Sequence, residues 1–295
     1  MRTTTRNTKV TFKNVALVAL AVLMALSMTF SNTFTVHAKG CKTSSTTYTI
    51  NDYGAISAVK DGRYIYYTGT YQNFMRYDTI TKELTEIAEL QSIPEGNGYW
   101  TNGGSNLVKH GGYFYFVWDA ASGVESDYYI FRVTSDGEMT KLAKGSKFVI
   151  KNNKIYYTKM KHLCDSDFGN EKSVGTYSMN LDGSNKKAEP KIRLITTRCT
   201  NIKSKYGTLM GKNYSLEGDY RTAQKLIFKD KSGKTRTVMK THKYNYILTF
   251  SNVGDYIVYA YHSGPDSNTR RTLVFEKYDG TEKQTFDIGS PAARF

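Results

Sequence analysis

The chain has 295 residues, 39% of them hydrophobic and 23% charged, which is enough apolar content for a sizeable core and too balanced for wholesale disorder. Its 24 Tyr and 14 Phe against 4 Pro favour strands and argue against a mostly helical protein. The formal charge of +15 directs attention to anionic partners.

At the N-terminus Arg2, Arg6, Lys9 and Lys13 precede an apolar run, Val15 to Phe30, and Val36-His37-Ala38 offers a small-residue cleavage site. These are the three parts of a secretory signal peptide. The run is shorter than the ~20 residues of a spanning helix, so residues 1–38 read as a segment removed on export, touching the membrane only transiently. Residues 39–295 then form one domain of a secreted, extracellular or wall-associated protein. With 37 basic and 26 acidic residues the mature chain keeps a charge of +11. Outside a cell such a charge suits anionic wall polymers or acidic glycans, and export argues against nucleic acid.

From residue 56 onward one pattern recurs five times: ISAVKDGRYIYYTG (56–69), SNLVKHGGYFYFVW (105–118), FVIKNNKIYYTK (148–159), TNIKSKYGTLMGK (200–212) and TFSNVGDYIVYAY (249–261). Each holds a short apolar strand, a tight turn and an aromatic strand. Ile65, Phe114, Ile155, Leu209 and Ile257 occupy equivalent positions at intervals of 49, 41, 54 and 48 residues, a propeller-blade period. The second half of each repeat supplies an independent anchor, because Gly137, Gly183, Gly233 and Gly280 recur at 46, 50 and 47 residues. In the first repeat Thr81-Lys82 replaces the Gly turn, which predicts a longer connection. Asp-Gly and Asn-Asn pairs provide the positive φ that tight hairpins need.

Four strands per repeat predict an antiparallel sheet that buries both faces only by stacking radially on its neighbours. The predicted fold is an all-β, five-bladed β-propeller of four-stranded antiparallel blades, with six blades as the alternative. The strand TTYTIND (46–52) is expected beside the last blade, closing the ring.

The Ile-Tyr-Tyr-Thr runs at 65–68 and 155–158, with Asn-Leu-Asp-Gly at 180–183, resemble the Tyr-Trp-Thr-Asp propeller repeats of low-density-lipoprotein-receptor-related proteins. They are closer still to poorly characterised secreted bacterial propellers with that pattern. Gly69 and Lys159 stand where the motif has Asp, and the Tyr-Trp-Thr-Asn run at 99–102 lies outside the repeat register. The resemblance implies a propeller and a binding role, and no catalytic residue carries over.

If the tight turns share one end of the molecule, the longer segments, 119–128, 159–175, 211–224, 262–271 and the inter-repeat insertion 92–104, gather as loops at the other, where binding residues usually sit. Trp100, Tyr214, Tyr220 and Arg221 lie there and are the candidate ligand-binding residues, flat surfaces for a sugar or anchors for a protein. The expected function is a non-catalytic recognition module for a glycan, an anionic wall polymer or a protein. The alternative is a carbohydrate-active hydrolase using carboxylates such as Asp119, Asp127, Asp165, Asp219 and Asp266 at the channel.

Neither a metal nor a cofactor is expected. Asp165, Asp167, Asn170 and Glu171 fail the calcium-loop pattern at Gly169 and Asn170, and the histidines lack zinc spacing. Cys164 and Cys199 are placed as neighbours able to form a disulfide, or to remain free thiols.

Overall fold

The computed structural model describes residues 46–52, 56–69, 72–89, 100–122, 125–162, 171–198, 201–217, 220–241, 246–263 and 270–288. Contacts divide the chain into Met1–Thr43 and Ser44–Phe295, and all described residues belong to the second unit. They are all-β, with no helix among them.

Five antiparallel quartets of consecutive strands coincide with the sequence repeats. Repeat 1 comprises β2 (Ile56–Asp61), β3 (Tyr64–Gly69), β4 (Gln72–Asp78) and β5 (Leu84–Ala88). Repeat 2 comprises β6 (Trp100–His110), β7 (Tyr113–Ser122), β8 (Glu125–Val133) and the first half of β9 (Met139–Lys151). The second half of β9 opens repeat 3, followed by β10 (Lys154–His162), β11 (Glu171–Asn180) and the short β12 (Lys187–Ala188). After β13 (Ile192–Arg198), repeat 4 comprises β14 (Asn201–Lys203), β15 (Gly207–Glu217), β16 (Tyr220–Asp230) and β17 (Thr235–Lys240). Repeat 5 comprises β18 (Tyr246–Val253), β19 (Tyr256–Ser263), β20 (Arg270–Lys277) and β21 (Lys283–Asp287).

Both sequence anchors have a physical basis. Ile65, Phe114, Ile155, Leu209 and Ile257 are all fully buried, each the apolar centre of its second strand. Gly137, Gly183, Gly233 and Gly280 all have positive φ, from 82° to 100°, a region that costs most other residues conformational strain. In repeat 1 Lys82 takes the same role at φ 67°. Its turn closes from the Asp78 amide to the Glu83 carbonyl, five positions apart, against four for Thr134 to Glu138. The longer connection amounts to one residue.

Four pairs of quartets pack face to face through apolar seams, and among the described residues no such seam joins repeats 3 and 4. Tyr66, Phe74, Phe114 and Phe116 join repeats 1 and 2, and Tyr115, Ile130, Phe148 and Ile155 join repeats 2 and 3. Leu209, Leu226, Phe250 and Tyr259 join repeats 4 and 5. The two ends of the repeat array meet directly, because Ile65, Tyr67 and Tyr77 of repeat 1 pack on Tyr256, Leu273 and Phe275 of repeat 5.

That last seam corrects the expected position of residues 46–52. Strand β1 (Thr46–Asp52) pairs in parallel with β13, from Thr46 opposite Ile192 to Asp52 opposite Arg198. The Tyr48 ring lies 5.1 Å from that of Tyr156 in repeat 3. Repeat 5 already draws its four strands from β18 to β21, and the ends of the array meet through side chains such as Tyr77 and Phe275, stacked at 4.1 Å, while β1 takes its ladder on β13. The 54-residue interval between Ile155 and Leu209 is the longest because it contains β13.

Candidate functional site

At the tight-turn end, the packed repeats are tied by charged side chains. Lys60 of repeat 1 pairs with Asp255 of repeat 5, Lys109 of repeat 2 with Asp61 of repeat 1, and Lys82 of repeat 1 with Glu282 of repeat 5. Glu282 also accepts from the Tyr256 hydroxyl at 2.5 Å and from Lys277 at 3.2 Å. Burial alone would raise its pKa, but hydrogen bonds from Lys82, Tyr256 and Lys277 outweigh that and hold it at about 2. Between repeats 4 and 5, Arg236 reaches the nearly buried Glu276 at 2.5 Å and the backbone carbonyls of Tyr278 and Lys277 at 2.9 and 3.0 Å. On the opposing strands β19 and β20, Arg271 Nε donates to His262 Nε2 at 3.1 Å, both residues being buried. Burial first, and then the Arg271 cation, push the His262 pKa down to about 4.

The described parts of the segments expected to be loops are strand. Residues 119–122 and 125–128 continue the β7–β8 ladder to the pair Ser122–Glu125, and residues 211–217 and 220–224 continue β15–β16 to Glu217–Tyr220. Ladder hydrogen bonds satisfy the backbone of these polar, Tyr- and Thr-containing stretches, so they extend as hairpin arms. Trp100 therefore opens β6 opposite Ala121. Tyr214, Tyr220 and Arg221 lie on one hairpin, opposite Ala223, Glu217 and Leu216. The side chains of these four residues, and the whole of Cys164 and Cys199, lie outside the described residues. The same holds for Asp165, Asp167 and Asp266. Among the described residues no group of three or more His, Cys, Asp or Glu is placed to hold a metal ion.

Charge is distributed unevenly along the fold. Residues 141–240, which include repeats 3 and 4, hold 23 Lys and Arg against 8 Asp and Glu, a net +15. Residues 39–140 hold 8 against 12, and residues 241–295 hold 6 against 6. Lys151, Lys154, Lys186, Lys191, Lys203, Lys229 and Lys231 are exposed and outside every described ion pair. Two acids of the same stretch are committed to their own turns: Asp182 accepts from the Ser184 hydroxyl and amide, and Asp230 accepts from the Ser232 hydroxyl and the Lys234 amide. Those hydrogen bonds hold both carboxylates below the usual range.

Five lysines of residues 141–240 share one face of repeat 4. Leu209, Leu226, Phe228 and Arg236 face repeat 5. Strand alternation turns the intervening positions to the opposite face. There Lys212 is paired with Lys225 and Lys225 with Lys240, a row of three lysines directly across β15, β16 and β17. Toward the turns the same face carries Asn201, Met210, Ile227 and Thr237, and then Lys203, Thr208, Lys229 and Thr235. Its described positions include five lysines and no acid. Sequence reading missed this face because Lys212, Lys225 and Lys240 belong together only once the strand register is known.

No protein-family model matches this chain, and no curated protein matches it. Solved structures similar to it include an oligogalacturonate lyase in complex with manganese, at 11% identity and a TM-score of 0.30, over 75% of this chain and 61% of that one. An oligogalacturonate lyase from Vibrio parahaemolyticus aligns at 11% identity and a TM-score of 0.32, over 81% and 65%. A DUF4221 family member from Bacteroides vulgatus aligns at 8% identity and a TM-score of 0.26, over 80% and 83%. The chain thus spans less than two thirds of the length of either lyase.

Proposed function

We propose that this is a signal-peptide-exported β-propeller, its five quartets serving as blades, which binds an anionic polymer of the cell envelope and catalyses no reaction on it. The observation that supports this most is the segregation of charge: the net +15 of residues 141–240, much of it on exposed lysines outside every described ion pair. A one-signed surface attracts a polyanion over a Debye length and concentrates it near the protein. The hairpin arms carry Trp100, Tyr214, Tyr220 and Arg221, the residues assigned to local contacts with sugar rings or linking groups. The blade reading is supported by the burial of all five second-strand anchors, among them the Ile of both Ile-Tyr-Tyr-Thr runs.

The test is retention of the purified exported protein on immobilised inorganic polyphosphate, polygalacturonate and a neutral glycan. Retention on the two polyanions, with affinity falling steeply as salt rises, is the expected result. Equal retention on the neutral glycan, or none on any support at low salt, overturns the reading.

A further inference from the structure

Lys212, Lys225 and Lys240 occupy directly opposed positions on three adjacent strands, where like charges destabilise a sheet. None of them takes part in a described ion pair, and the face holds no described acid to relieve them. Repeats 1 and 5 show that this chain can build paired charges in quantity, as at Lys60–Asp255 and Lys82–Glu282. A repulsive row retained on a sheet face is accounted for when an external anion completes it.

We infer that the face of repeat 4 turned away from repeat 5 is the anion-binding surface, and that its ligand is a linear polyanion spanning at least two groups of lysines. This rests on the anionic-polymer reading above and assigns it a place. With strands ~4.8 Å apart, the row Lys212–Lys225–Lys240 covers roughly 10 Å. Four residues at ~3.3 Å each put Lys229, with Lys203 two strands away, roughly 13 Å from Lys225. Met210 and Ile227 lie between, half-buried and opposite each other. A single phosphate or carboxylate reaches one group of lysines, whereas a chain of them reaches both across an apolar strip. All five basic residues are lysines, hydrated point charges without the planar fork of arginine. The face therefore reads charge density along a polymer more than the geometry of one anionic group. The strand alternation of this face carries on through positions 214 and 221 of the same hairpin.

The inference is tested by fluorescence anisotropy with labelled long-chain polyphosphate and, separately, labelled polygalacturonate, with inorganic phosphate as competitor. The triple variant Lys212→Gln, Lys225→Gln, Lys240→Gln is compared with the triple variant Lys151→Gln, Lys154→Gln, Lys186→Gln, which removes the same charge from exposed positions at the turns of repeat 3. Loss of affinity of about tenfold or more in the first variant only, poor competition by inorganic phosphate and an unchanged or raised Tm are the expected results. A raised Tm is the signature of relieved repulsion and one that a structural role for these lysines would not produce. Equal loss in both variants assigns the effect to net charge, and an unaffected first variant assigns binding elsewhere; either overturns the placement while the anionic-polymer reading stands. No binding by the parent protein to either polymer overturns both. The relative affinities of the two probes decide whether phosphates or carboxylates are the natural groups.

Discussion

The seam between repeats 1 and 5 and the outer face of repeat 4 use the same residue types for opposite ends. At the seam, charged side chains are matched across the two repeats: Lys82 and Lys277 converge on Glu282, and Lys60 meets Asp255 beside the Tyr256 ring. On the repeat 4 face, Lys212, Lys225 and Lys240 stand in register with no acid among the described positions. A charge paired across a packed seam helps hold the ends of the array together. A charge left unpaired on a strand ladder weakens the fold slightly and leaves its field available to a ligand.

The comparison is broken most severely by removing the seam's apolar part. Phe275→Ala should destabilise the protein by about 3 to 5 kcal/mol, because the ring is fully buried against Tyr67, Tyr77 and Phe286; denaturant unfolding measures it.

An acid titration should have the next largest effect. Above about pH 6.5 His262 is neutral in both folded and unfolded states. As pH falls the unfolded chain takes up the proton first, because the folded pKa is about 4, so stability is lost between pH 6.5 and 4, by up to about 3 kcal/mol. His262→Gln, which keeps an acceptor for Arg271, should flatten that part of the pH–stability curve; an unaltered curve would mean that the loss arises from another group.

Glu282 works with the reverse chemistry, since its folded pKa of about 2 lies below the ordinary 4.5. Its contribution is present above pH 4.5 and is lost as pH falls toward 2. Glu282→Gln should cost about 2 kcal/mol at neutral pH and remove that acid limb, measured by thermal unfolding across the same pH range. The smallest effect belongs to the repeat 4 face, where replacing the lysine row by Gln should gain at most about 1 kcal/mol while lowering polyanion affinity. A loss of stability there would erase the contrast between the two regions.

Much of the repeat architecture was legible from residues alone. Ile65 through Ile257 marked the second strands, and Gly137 through Gly280 marked the third turns, because strand alternation and positive φ are local requirements. The hairpin arms were misjudged as loops, since Tyr214, Thr222 and their neighbours lack the apolar alternation of a buried strand and are held by ladder pairing. The lysine face was illegible for a related reason: residues 13 and 15 positions apart become neighbours only through β15–β16–β17 pairing.

What the sequence determined by itself was the all-β class, the five-fold period and the basic charge, each carried by composition or by contacts within a few tens of residues. Tertiary structure alone decided that the array's two ends meet through Tyr77 and Phe275, that β1 pairs with β13, and that unpaired lysines share one face of repeat 4. These are choices among partners far apart in the chain, and they depend on which apolar faces and strand edges the earlier pairings have already consumed.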